Sequence, residues 1–117
     1  LMVTSLSESG SDLVAGDARR FTSLWVRDSH THRNAFAETM QRTHVRDQPV
    51  LIHDRMAWNK IYRRDFLDAN DLVFPGMLYE DYPVTIKAHV RARTVDAGCG
   101  VRARDAAGCC DLHRRIA

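Results

Sequence analysis

The chain is poor in the residues that would announce a mechanism. Its three cysteines fall at 99, 109 and 110, so none lies in the stretch that carries the apolar pattern. An odd count confined to one end argues against a secreted disulfide scaffold and for a reducing, cytosolic setting. No apolar run approaches the roughly 20 residues needed to span a bilayer. The opening "LMVTSLSESG" has no basic segment before its short apolar stretch, which argues against a signal peptide. It does not begin with methionine and reads as cut from something longer. There is no G-x-G-x-x-G, P-loop, G-x-S-x-G or H-E-x-x-H. There is no D-x-D either; "DAND" at 68–71 is the nearest approach. Nor is there an excess of either charge. With 17 basic and 15 acidic residues the net charge is +2, which gives no reason to expect nucleic acid as a partner.

What is present is ordinary in amount and informative in order. The 117 residues suffice for one domain with a modest core, at 44% hydrophobic and 27% charged. Residues 1–17 read as the end of one element followed by the polar turn "SESGSD", and "DLVAG" as a short strand. "FTSLWV", 21–26, mixes β-branched and aromatic residues and reads as another strand; "RDSHTHRN" is a polar connection. In "NAFAETMQRTH", 34–44, Phe36, Met40 and Thr43 fall at helical spacing behind a capping Asn34, which predicts a helix. "PVLI", 49–52, is a short apolar run, "MAWNKIYRRDFL", 56–67, a strand leading into a helix, and "DANDLVFPG", 68–76, a turn with an extended piece. "YEDYPVTIKAHVRAR", 79–93, is the clearest helix. It carries a stripe of Tyr82, Ile86, His89 and Val90, with Pro83 in its first turn and Lys87, Arg91 and Arg93 toward its end.

The adjacent carboxylates Glu80 and Asp81 invite two readings. Acids before a helix satisfy free N–H groups and meet the positive end of its dipole. Alternatively, an ionised carboxylate at a helix mouth takes a proton from a hydroxyl as it attacks, which suits a reaction with a good leaving group. "WNKIYRR", 58–64, is similarly divided. It is either a core strand with Trp58 and Tyr62 inside and Lys60, Arg63 and Arg64 in solvent, or the rim of a site with Asn59 and Lys60 facing a ligand and arginines near a phosphate. His30 and His32 form an H-x-H pair with no carboxylate at metal spacing, and Cys99, Cys109, Cys110 and His113 match no familiar zinc pattern. No metal site is expected from either group. His89 reads as a packed residue.

Taken in order, Trp58, Asn59, Lys60, Tyr62, Arg63, Arg64, Phe66, Phe74, Pro75, Glu80 and Asp81 resemble the acceptor-side half of family-two inverting glycosyltransferases of the GT-A fold. The resemblance covers roughly residues 5–96, a stretch that includes "SGSDLVAGDARRF" near its start and "KAHVRAR" near its end. It points to the subgroup of actinobacterial wall-polymer enzymes, some of which carry a glycerophosphotransferase domain. It implies that Asp81 is the catalytic base and that Glu80, Asn59, Lys60 and Arg63 bind substrate. It implies a nucleotide-diphospho-sugar donor, a glycan or polyol-phosphate acceptor in the cell envelope, and a divalent Mg or Mn ion whose ligands lie outside this chain. The setting it implies is the cytoplasm, at the inner face of the membrane, with peripheral membrane association among the partners it allows.

The expected architecture is therefore α/β (or α+β), a partial GT-A-like mixed sheet with packed helices forming an incomplete domain over 1–97. Such a piece lacks the donor half, so on its own it is expected to be inactive and prone to self-association. Residues 98–117 depart from the family. "AGCGVRARDAAGCCDLHRRIA" has no aromatic residue and no period, and resembles a GC-rich gene read out of frame after about residue 97. DNA sequence without an insertion or deletion there removes that expectation. The rival reading is a small non-catalytic α+β binding module in which Glu80 and Asp81 only cap a helix.

Overall fold

The computed structural model describes residues 2–29, 32 and 35–98. The elements in chain order are α1 (Met2–Ser9), β1 (Leu13–Gly16), β2 (Arg19–Phe21), β3 (Val26–Asp28), β4 (Met40–Thr43), a 3₁₀ turn (Pro49–His53), β5 (Lys60–Tyr62), α2 (Arg64–Ala69), α3 (Asp81–Arg91) and β6 (Val95–Gly98). The four-stranded sheet has the order β4-β6-β1-β5. β1 and β6 run parallel in its centre, with Leu13 opposite Val95 and Gly16 opposite Gly98. β4 and β5 flank them antiparallel, and β2 pairs with β3 in a separate hairpin. The fold is thus mixed α/β.

The central strands are buried on both faces, as parallel strands covered on either side must be. Leu13, Ala15, Val95 and Ala97 point to one face, where Phe66 of α2, Leu51 of the 3₁₀ turn and Val84, Ala88 and Ala92 in and after α3 complete the core. The opposite face carries Asp96, which α1 covers. Its carboxylate, wholly buried, accepts hydrogen bonds from the hydroxyls of Ser5 (2.7 Å), Ser9 (2.6 Å) and Ser11 (2.8 Å) and from the Arg42 N–H (2.9 Å). Four donors replace the water that a buried carboxylate loses.

Several expectations are met and several corrected. The strand at "DLVAG", the strand-to-helix passage at 56–67 and the helix opening near Asp81 are all observed. The helix expected over 34–44 is not: Met40–Thr43 is an edge strand. A bulge between Met40 and Thr43 leaves Gln41 and Arg42 both exposed, so the inward positions fall three apart and imitate a helical period. The strand expected over 21–26 is a loop at its centre, since Thr22–Trp25 joins β2 to β3. The buried side of α3 is Val84, Thr85, Ala88 and His89, while Val90 is 56% exposed. The large apolar residues suggested the wrong stripe because the helix approaches the sheet through small ones. Gly98, assigned to the atypical tail, closes β6 in register with Gly16. Cys99, Cys109, Cys110, His113 and His30 lie outside the described residues, and so does nearly all of the segment expected to be out of frame.

Candidate functional site

Parallel strands deliver a site at their carboxyl ends, where the following loops diverge. At that end of β1 the Gly16 carbonyl accepts a hydrogen bond from Asn59 Nδ2 at 2.8 Å, and the Gly16 N–H donates to the Asn59 carbonyl. The second Asn59 amide proton goes to Asp54 Oδ2, also at 2.8 Å. Asp54 is 1% exposed, and the same oxygen accepts from Lys60 Nζ at 2.7 Å. The Lys60 ammonium donates its other protons to the Met56 carbonyl and to Asn59 Oδ1. On the other side of Asp54, His32 Nε2 lies 3.2 Å from Oδ1 without hydrogen-bond geometry, while its Nδ1 meets Ser29 Oγ at 2.7 Å. The His32 ring lies between Phe36 and Trp58, at 6.0 and 5.6 Å between centroids.

Asp81 begins α3 beside this hub, and it does not cap the helix. Its Oδ2 accepts the Ala57 N–H at 2.9 Å, tying the Met56–Trp58 loop to the helix start. Its Oδ1 has no hydrogen-bond partner among the described residues, and it is not among the buried unpaired atoms, so water reaches it. Glu80 occupies the N-cap position, but with helical backbone angles (φ −56°, ψ −25°) and no side-chain cap. The capping expected of these acids is therefore absent. The Thr85 hydroxyl lies 2.8 Å from the Asp81 carbonyl and 3.1 Å from that of Arg55, bridging the helix to the same loop. Just before the pair, Tyr79 is held at φ +59°, left-handed backbone that costs a non-glycine residue about 1–2 kcal/mol.

Charge and burial shape the protonation of this region. Burial pushes the Lys60 ammonium below its ordinary value, opposed by the carboxylates of Asp54 and Asp81. Burial pushes the Tyr62 phenol well above its usual range, and the same two carboxylates add to the shift. Tyr62 Oη is buried without a partner. His89, inside α3, is driven down to about 4, first by burial and then by the Lys60 cation.

The structure brings Asn59, Lys60 and Asp81 together and leaves Arg63 apart. Arg63 follows the far end of β5, three residues of extended chain and so roughly 10 Å beyond Lys60. There it pairs with Asp65 at 2.6 Å and reaches the Gly10 carbonyl at 3.5 Å. The alternative of a plain core strand at 58–64 also fails at two positions, because Trp58 is 67% exposed and Lys60 is buried. Sequence reasoning missed Asp54. The available signal was a lysine at an inward strand position of an otherwise apolar element: such a cation needs a carboxylate, and Asp54 is the acid just upstream of "WNK".

Comparison with protein-family models, curated proteins and solved structures gives no match to this chain. Among the described residues no group of three His, Cys, Asp or Glu side chains is placed to hold a metal ion. None of the described helices is long and apolar enough to cross a membrane.

Proposed function

We propose that the chain is the acceptor-side part of an inverting glycosyltransferase of GT-A type, with Asp81 as general base. One observation carries the reading: the Asp81 carboxylate is fixed through one oxygen by the Ala57 N–H, while the other oxygen is unpartnered and reached by water. A base needs this division, one oxygen to hold direction and one to receive the proton. A helix cap would instead direct its oxygen at the N–H groups of its own first turn. In the reaction, Oδ1 takes the proton of the acceptor hydroxyl as the hydroxyl oxygen bonds to the anomeric carbon. The bond from that carbon to the donor diphosphate breaks, and its electron pair leaves with the diphosphate. A carboxylate is a weak base and suffices because the leaving group is good.

The exposed side chains around Asp81 suit a glycan or polyol-phosphate acceptor. Trp58 follows the Ala57 anchor, and Met77, Leu78 and Tyr79, all more than half exposed, precede the acid pair. The ring faces of Trp58 and Tyr79 suit stacking on sugar rings, and Met77 and Leu78 add apolar surface beside them. Glu80, whose side chain makes no hydrogen bond among the described residues, is the second acceptor contact. Asn59 and Lys60 support the site from behind, since their protons are committed internally, and Arg63 lies too far away to join it. A divalent ion, expected of the complete domain, does not fit the residues described here, because Asp54 is already claimed by Lys60 and Asn59. The ion belongs with the donor-binding half, in a cytoplasmic enzyme at the inner face of the membrane that builds envelope polymers.

The internal saturation of Asn59 and Lys60 also favours a second reading, a non-catalytic α/β binding module in which this hub is purely structural. One substitution separates the two. In the polypeptide that includes the donor half, Asp81→Asn is expected to lower transfer about 10²–10⁴-fold with thermal unfolding little changed. Retained transfer in that variant would sink the assignment of Asp81 as base.

A further inference from the structure

The peptide between Met56 and Ala57 is gripped from both sides. Its carbonyl oxygen accepts a hydrogen bond from the Lys60 ammonium, and its N–H donates to Asp81 Oδ2 at 2.9 Å. The ammonium is itself seated on Asp54 Oδ2 at 2.7 Å and spends its third proton on Asn59 Oδ1 at 3.1 Å. A continuous line therefore runs from Asp54 through Lys60 and one peptide unit to Asp81. A cation on a peptide carbonyl draws electron density from the amide and strengthens its N–H as a donor, and hydrogen bonds chained in this way reinforce one another at low dielectric.

We propose that Lys60 is a positioning residue for Asp81: seated on Asp54, it polarises and orients the Met56–Ala57 peptide, which in turn fixes Asp81 Oδ2 and leaves Oδ1 free for the acceptor hydroxyl. The proposal rests on the reading of Asp81 as the base and deepens it. A lysine that grips a diphosphate needs access and a spare proton, whereas the Lys60 side chain is 0% exposed and has none to spare. Neutralising Asp54 takes one of the three ammonium protons, and it is the proton donated to the Met56 carbonyl that ties Lys60 to the Ala57 peptide. The arrangement also explains why a loop residue with no side-chain chemistry, Ala57, stands at the centre of the site: the working group is its backbone.

The test is amide hydrogen exchange, read by nuclear magnetic resonance on this chain. The Ala57 N–H is compared with the Arg93 N–H, which binds the carboxylate of Asp12 at 2.7 Å and has no tie to Lys60. In Lys60→Met, and in the charge-balanced pair Asp54→Asn with Lys60→Met, exchange at Ala57 is expected to quicken about tenfold, the weight of one charge-assisted hydrogen bond. Arg93 should hold its wild-type rate. Equal quickening at both amides, or none at Ala57, overturns the proposal, the first by showing a merely structural role. Should neither variant fold, the wild-type protein decides. A scalar coupling across the hydrogen bond from Ala57 nitrogen to the Asp81 carboxyl carbon is expected, and its absence overturns the line of partners. In the transferring polypeptide, positioning predicts a lower kcat with an unchanged KM for the nucleotide sugar, whereas a raised KM with unchanged kcat contradicts it. Failure of the underlying reading looks different: Asp81→Asn keeps its transfer while Ala57 still answers to Lys60.

Discussion

His89 sits in the core with neither ring nitrogen hydrogen-bonded and is 1% exposed. It is therefore stable only as the neutral imidazole. Its folded-state value of about 4 lies below the ordinary 6.5, so the unfolded chain binds the proton first. Stability is full above about pH 6.5 and falls as the pH drops toward 4, by up to about 3 kcal/mol from this one group. His89→Leu, similar in volume and without the buried nitrogens, is expected to flatten the fall in urea midpoint between pH 6.5 and 4. A slope equal to that of the wild type would show that other groups carry the acid sensitivity. The sequence does mark His89 as packed, because it lies on the inward side of a clear helix. It does not mark Asp54 or the backbone of Ala57 as parts of the site, since the partner of a buried lysine and the direction of a peptide N–H are set by tertiary contacts. The carboxylate pair was legible as chemically interesting, but the difference between a cap and a carboxylate anchored to a loop lies in a bond of 2.9 Å to a residue 24 positions away.

Among the elements, β6 is the most constrained. A Cβ added to Gly98 would lie 2.8 Å from Thr39 Oγ1 and 3.0 Å from its Cα, and the latter is backbone that cannot swing aside. Gly98→Ala is therefore expected to cost about 1–3 kcal/mol, read as a lower urea midpoint at constant m-value. Gly76→Ala is the control, since nothing lies within 4 Å of the added atom there. An equal midpoint for the two variants would mean that the Thr39 contact gives way easily. β4 shows how an element hides in sequence. Its bulge gives Arg42 a left-handed backbone (φ 51°) and directs the Arg42 N–H to Asp96. The same irregularity erases the alternation by which a strand is recognised. α3 was found from its proline, its charges and its length, whereas its orientation was not, because burial there follows close approach rather than side-chain size.

For the molecule as a whole, apolar side chains remain outside in number: Leu24 is 90% exposed, Leu78 85%, Tyr79 77%, Val73 71% and Met77 62%. The last four share one loop, and exposed apolar side chains gathered in this way mark an interaction site or a liability. The isolated chain is expected to self-associate at high micromolar concentration, and Leu78→Ser with Met77→Ser to reduce that association in sedimentation velocity. A monomeric wild type at all concentrations would refute it. The mixture of short strands and helices was legible from the residue pattern, whereas a mixed sheet was expected through the family resemblance. The strand order was not legible, because nothing local says that the last described strand enters between the first and the fourth.

That order sets a timetable. Leu13 must wait for Val95, and Met40 for Ala97, so neither β1 nor β4 gains its central neighbour until the final described residues have been made. A nascent chain that has not yet made β6 therefore lacks one of the two central strands, with the serines of α1 facing no carboxylate and one edge each of β1 and β4 unpaired. Closure over so long a loop is entropically slow. The sheet closes only after β6 has been made, and every nascent intermediate before that point presents open edges to which chaperones or other chains can bind.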